Sequence, residues 1–163
     1  DKKGMVTMGF SATSITILIA DDDPDDQLLV RDALLDNRVF NDIRFVGDGQ
    51  ELMDYLLQRG AYSTPAQAPR PDLILLDLNM PRKDGREALR EIRQDEELRC
   101  IPVVVLTTSK ADEDVARMYE LGVNSFIVKP VTFQALVEVI HVVTEYWFTI
   151  VRLPSHRLEI LRR

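Results

Sequence analysis

Four groups of polar residues each follow directly on an apolar run: Asp21-Asp22-Asp23, Asp77, Thr107-Thr108 and Lys129-Pro130. Adjacent carboxylates repel one another, and a charge left unpaired in a partly dehydrated crevice is costly, so a cluster of aspartates calls for a cation. Ligands that are all oxygen select a hard ion such as Mg²⁺, which keeps several waters and takes one or two carboxylates plus phosphate oxygens. Magnesium and a phosphoryl group are therefore the natural guests. A carboxylate attacks a phosphoryl group to form an acyl phosphate when a metal and a lysine neutralise the charge gathering on the transferred oxygens. Asp77 is the best-placed nucleophile, with Thr107 supplying a hydroxyl and Lys129 an ammonium. This chemistry requires that residues more than a hundred positions apart, Asp21 and Lys129, converge.

The elements around them provide the means. Ile15 to Ala20 is a short β-branched strand, and Asp23-Pro24 opens a helix through Leu34. Ile43 to Val46 is a second strand, after which Asp48 caps a helix reaching about Gln58, with Glu51 completing a capping box. Residues 59–71 hold Gly60 and three prolines and read as a surface loop. Leu73 to Leu76 is the third strand, Asp84 caps the third helix, and Val103 to Leu106 is the fourth strand. A helix over about Asp112 to Leu121, a fifth strand over Ser125 to Val128 and a last helix capped by Thr132 complete the series. Strands 1, 3, 4 and 5 are near-continuous apolar runs, as burial on both faces by crossover helices demands. The alternation predicts a three-layer α/β/α sandwich around a five-stranded parallel sheet. In such a sheet, chemistry gathers beyond the carboxyl ends of the strands, which is where the four polar groups stand.

Composition narrows the classes. The chain has 163 residues, 45% of them hydrophobic, enough for one core. Twenty Lys and Arg against 27 Asp and Glu give a net charge of −7, the wrong sign for gripping a nucleic-acid backbone. Cys100 is the only cysteine, which excludes an intrachain disulfide and a Cys-rich zinc site and fits a reducing, cytoplasmic setting. No apolar run approaches the roughly 20 residues of a membrane span, and the first ten residues lack a signal-peptide core. Asp1 to Gly4, before Met5, reads as an appended remnant. The expected division is an N-terminal segment over 1–14, disordered or appended, one domain over 15–148, and a tail over 149–163. The stretch after the last helix is too short for a DNA-binding module, so output is expected through protein binding or onward phosphoryl relay.

Ile17-Leu-Ile-Ala-Asp-Asp-Asp-Pro24, Leu73-Ile-Leu-Leu-Asp-Leu-Asn-Met-Pro81 with Asp84-Gly85, Pro102-Val-Val-Val-Leu-Thr-Thr108 and Phe126-Ile-Val-Lys-Pro130 together resemble the receiver domains of response regulators in two-component signalling. The resemblance implies a flavodoxin-like topology with strand order 2-1-3-4-5. It implies that Asp77 is the phosphoacceptor and a metal ligand, Asp22 a direct magnesium ligand, Asp21 a ligand through water and Asn79 a ligand through its backbone carbonyl. Thr107 would be the switch hydroxyl and Lys129 the phosphoryl-binding lysine. Phe126 occupies the aromatic switch position, often Tyr; lacking a hydroxyl, it must couple through packing. The 59–71 loop and the segment Tyr146 to Pro154 are similar to those of single-domain regulators serving phytochrome-type histidine kinases. The implied protein is a phosphoacceptor, not an enzyme, with a sensor kinase, such as a bacteriophytochrome, as partner.

The same residues allow other readings. Asp23 before Pro24 reads as a helix cap. A haloacid-dehalogenase-type phosphatase needs Asp-x-Asp-x-Thr or Asp-x-Asp-x-Val; Asp21-Asp-Asp23-Pro-Asp25 meets only the first half. A flavodoxin-like cofactor binder meets an acidic crevice that repels a flavin phosphate. His141 and His156 stand alone, and Cys100 reads as a small buried filler. On the last helix, Phe133, Leu136, Val137, Ile140, Val143 and Trp147 form the stripe expected against the sheet. A second apolar row of Ala135, Val139, Val142 and Tyr146 predicts a homodimer through the last helix and its tail, with Val139, Val142 and Tyr146 at its interface.

Overall fold

The computed structural model describes residues 15–35 and 41–147. Five strands, β1 (Ile15–Ala20), β2 (Asn41–Val46), β3 (Leu73–Leu76), β4 (Val103–Thr107) and β5 (Ser125–Val128), alternate with five helices. These are α1 (Pro24–Leu35), α2 (Gly49–Leu56), α3 (Gly85–Gln94), α4 (Asp112–Glu120) and α5 (Phe133–Glu145). All strand pairs are parallel and the sheet order is β2-β1-β3-β4-β5.

The three central strands divide their side chains between two cores. Leu18, Ala20, Ile74, Leu76, Val103 and Val105 face one cluster with Leu52, Leu89 and Met118, whereas Ile17, Ile19, Leu73, Leu75, Val104 and Leu106 face the other with Val30, Leu34 and Ile140. The period of two along each strand sends alternate residues to opposite layers, which is why continuous apolar runs are required here. Helices α2, α3 and α4 therefore cover one face, and α1 and α5 the other. The predicted caps are in place: Asp48 accepts from Glu51 N, Asp84 from Arg86 N and Glu87 N, and Thr132 from Ala135 N.

Several expectations are corrected. Strand β5 is not buried on both faces: it is an edge strand whose side chains are half-buried or exposed, because only β4 flanks it. Phe133 does not join the sheet-facing stripe; it is exposed, and the face of α5 against the sheet is completed instead by Thr144, which donates to Ile140 O at 2.6 Å. Of the second row, Val142 and Tyr146 are exposed, but Val139 packs half-buried against the core. Cys100 is exposed and not a filler. The 59–71 stretch is more than a surface loop. It holds a 3₁₀ turn at Gly60–Tyr62 and buries Ala68, and Tyr55 Oη donates to Pro69 O at 2.8 Å. The segment after Trp147, and with it His156, lies outside the described residues.

Candidate functional site

The sheet register brings the strand ends level. Ala20 pairs with Leu76, Leu76 with Val105 and Thr107 with Val128, so the next residues, Asp21, Asp77 and Lys129, emerge at one edge. Asp77 N donates to Ala20 O at 2.9 Å and Lys129 N to Thr107 O at 2.7 Å, extending the ladder one step beyond the strands. Gly85 holds the returning β3–α3 connection close: a Cβ there would overlap the carbonyl oxygen of Asp77, and Gly85 N donates to Leu78 O at 2.9 Å. The same connection is tied to α2 by Gly49 N to Lys83 O and by the Arg82–Asp48 ion pair, 2.8 and 2.7 Å.

Asp77 is buried and both of its carboxylate oxygens are engaged. Thr107 Oγ1 donates to Oδ1 at 2.8 Å, Asn79 N to the same oxygen at 3.1 Å, and Lys129 Nζ to Oδ2 at 3.0 Å. Lys129 also donates to Asp21 Oδ2 at 2.7 Å and to Asp26 Oδ2 at 2.9 Å. Burial disfavours the ammonium, but the hydrogen bonds to Asp21 and Asp26 and the fields of Asp21 and Asp77 outweigh it, so the Lys129 pKa is raised and the charge kept. Burial dominates at Asp21, raising its pKa despite hydrogen bonds from Lys129 and Asp23 N and with Asp77 adding repulsion.

Asp21, Asp22 and Asp77 each bring a carboxylate oxygen within 4.8 Å of the others, with Asp22 exposed at the mouth. With Asp26 the site gathers four carboxylates and one ammonium, which contacts three of them. The donor set is all oxygen and carries excess negative charge, which suits a divalent metal. Asn79 is exposed beside this cluster, on the connection after β3.

Phe126 is half-buried against the core on the α4 side, and its N–H donates to Tyr119 Oη at 3.2 Å. Val142 and Tyr146 lie on α5, away from the strand-end cluster. Two contacts near the strand ends carry no clear signal in the sequence. Asp26 stands in the first turn of α1, and its only signal was an acid one residue beyond Asp25. Arg86 grips Asp114 with Nε and Nη2 at 2.8 and 2.6 Å, joining the start of α3 to α4, while Ser109 Oγ donates to the same carboxylate at 2.7 Å. No helix among the described residues is long and apolar enough to cross a membrane.

Comparison with known proteins agrees with this geometry. A sequence model of the response regulator receiver domain matches residues 17–141. Response regulator Rcp1 of Synechocystis sp. is 41% identical over 139 residues, covering 85% of this chain and 92% of that protein. The crystal structure of the phosphorylated cyanobacterial phytochrome response regulator RcpA superposes with a TM-score of 0.83 at 42% identity, covering 87% of this chain and 99% of that one. The Mn²⁺-bound form of Rcp1 gives a TM-score of 0.82 at 40% identity, covering 86% and 99%. Neither the phosphatase nor the flavin-binding reading is favoured by these likenesses. The chain belongs to the response regulator receiver domain family.

Proposed function

We propose that Asp77 accepts the phosphoryl group, from a phosphohistidine of a phytochrome-type sensor kinase, with Mg²⁺ held by Asp21 (through water), Asp22, Asp77 and the Asn79 carbonyl. The observation that carries this reading is the pair of donors on Asp77: Thr107 on one carboxylate oxygen and Lys129 on the other, beside two further aspartates. An Asp77 oxygen attacks phosphorus; the new O–P bond forms as the P–N bond breaks, and the electron pair returns to the imidazole nitrogen. Bound magnesium would neutralise charge on the transferred oxygens. Thr107 and Lys129 then move their hydrogen bonds from the carboxylate to the phosphoryl oxygens, drawing the ends of β4 and β5 inward, and Phe126 repacks as the switch.

The kinase class is supported by the relatives described as phytochrome and bacteriophytochrome response regulators, the latter 40% identical with a TM-score of 0.64. A homodimer through α5 is part of the reading, with exposed Val142 and Tyr146 at its centre and Val139 at its margin. So is a cytoplasmic location, where the free, exposed Cys100 stays reduced. Incubation with acetyl phosphate and magnesium should add one phosphoryl mass that Asp77→Asn abolishes. Single-site labelling of that variant at the wild-type rate would overturn the assignment.

A further inference from the structure

Lys129 has three ammonium hydrogens, and three carboxylates take them: Asp21 at 2.7 Å, Asp26 at 2.9 Å and Asp77 at 3.0 Å. Two of these acceptors are already spoken for. Asp21 and Asp77 belong with Asp22 to the oxygen cluster suited to a cation, and Asp26 does not. A cation entering the cluster competes with Lys129 for the oxygens of Asp21 and Asp77 while leaving Asp26 to the lysine. Asp26 is also the most exposed of the three acceptors, its side chain 27% accessible against 5% for Asp21 and 8% for Asp77, and it stands in the first turn of α1.

We infer that Asp26 is a positioning residue that acts through Lys129. It holds the ammonium on the α1 side when metal and phosphoryl oxygens claim Asp21 and Asp77, and so opposes the swing of Lys129 onto the transferred group. The inference rests on the reading of Asp77 as phosphoacceptor. In the resting protein the Asp26 carboxylate stabilises Lys129 where it stands; in the phosphorylated protein the same attraction pulls against the new hydrogen bond. Removing its charge therefore favours the phosphorylated arrangement. The ordinary role of an acid in the first turn of a helix, complementing the macrodipole, applies equally to Asp25. Asp25 makes no ion pair with Lys129, whose three partners are Asp21, Asp26 and Asp77, so it serves as an internal control.

The test is the rate of phosphorylation of the full chain by acetyl phosphate at saturating magnesium. Asp26→Asn should react about fivefold faster, the scale of one partly exposed ion pair, and Asp25→Asn at the wild-type rate. The decisive comparison places Asp26→Asn in a Lys129→Met background, where its effect should vanish because the residue through which it acts is gone. If Lys129→Met reacts too slowly for rates, beryllofluoride affinity of the same four proteins closes the same cycle. An unchanged or slower rate in Asp26→Asn, or equal acceleration without Lys129, overturns the proposal. So does a loss of Mn²⁺ affinity as large as that of Asp22→Ala, which would make Asp26 a metal ligand. Failure of the Asp77 reading shows separately, as labelling that survives Asp77→Asn.

Discussion

Thr107 Oγ1 lies 2.8 Å from Asp77 Oδ1 and donates to it across 30 positions of sequence, with both side chains buried. A buried carboxylate requires donors on its oxygens, and Thr107 and Lys129 supply one each from the ends of β4 and β5. A phosphoryl group on Asp77, as proposed, would recruit the same two donors, so the resting hydrogen bonds connect Asp77 to the ends of β4 and β5.

Removing either donor should separate chemistry from switching. Lys129→Met and Thr107→Ala are expected to accept phosphate at reduced rates yet lose the phospho-dependent chemical-shift changes at β4, β5 and Phe126. Shift changes in the variants equal to those of the wild type would rule out the coupling.

Asp22 is the exposed member of the carboxylate trio. Adding a phosphoryl of charge about −1.5 to −2 to four carboxylates is prohibitive without a divalent cation. Asp22→Ala should therefore lose Mg²⁺ binding and phosphorylation together, and a chelator should stop phosphorylation of the wild type. Undiminished phosphorylation in excess chelator would refute the metal requirement.

The Arg86–Asp114 pair should govern acid stability. Hydrogen bonds from Arg86 and Ser109 hold the Asp114 carboxyl down at about 2 from the ordinary 3.8. A folded-state value below the unfolded one contributes stability that is complete above the unfolded value and lost as pH falls from about 4 toward about 2. Partly exposed side chains reduce the contribution to about 1 kcal/mol. Asp114→Asn should show that deficit in urea unfolding near neutrality and a shrinking one as pH approaches 2; a variant as stable as the wild type at neutrality would count against the pair.

Val142 and Tyr146 lie one turn apart on α5 and are 67% and 50% exposed. For a two-fold dimer centred there, Val142→Glu should give a folded monomer in light scattering. A wild-type protein that is monomeric at micromolar concentration, with or without beryllofluoride, would dispose of the dimer.

Much of this was legible in the chain itself because the relevant physics is local. Capping residues Asp48, Asp84 and Thr132 place the helix starts, and short, mainly apolar runs place β3 and β5 to the residue. Residues that end or directly follow a strand in a parallel sheet must emerge at its carboxyl edge, so Asp21, Asp77, Thr107 and Lys129 could be grouped from sequence. Tertiary structure alone decided how each helix is rotated about its axis and which strand lies at an edge. The α5 stripe could be turned by part of a residue step without changing its periodicity, and packing against β1, β3 and β4 chose the rotation that buries Thr144 and exposes Phe133. Likewise, the meeting of Asp26 with Lys129, 103 positions apart, depends on how α1 lies over the sheet relative to the end of β5. No short-range preference encodes that distance, because it is the sum of many packing contacts between layers.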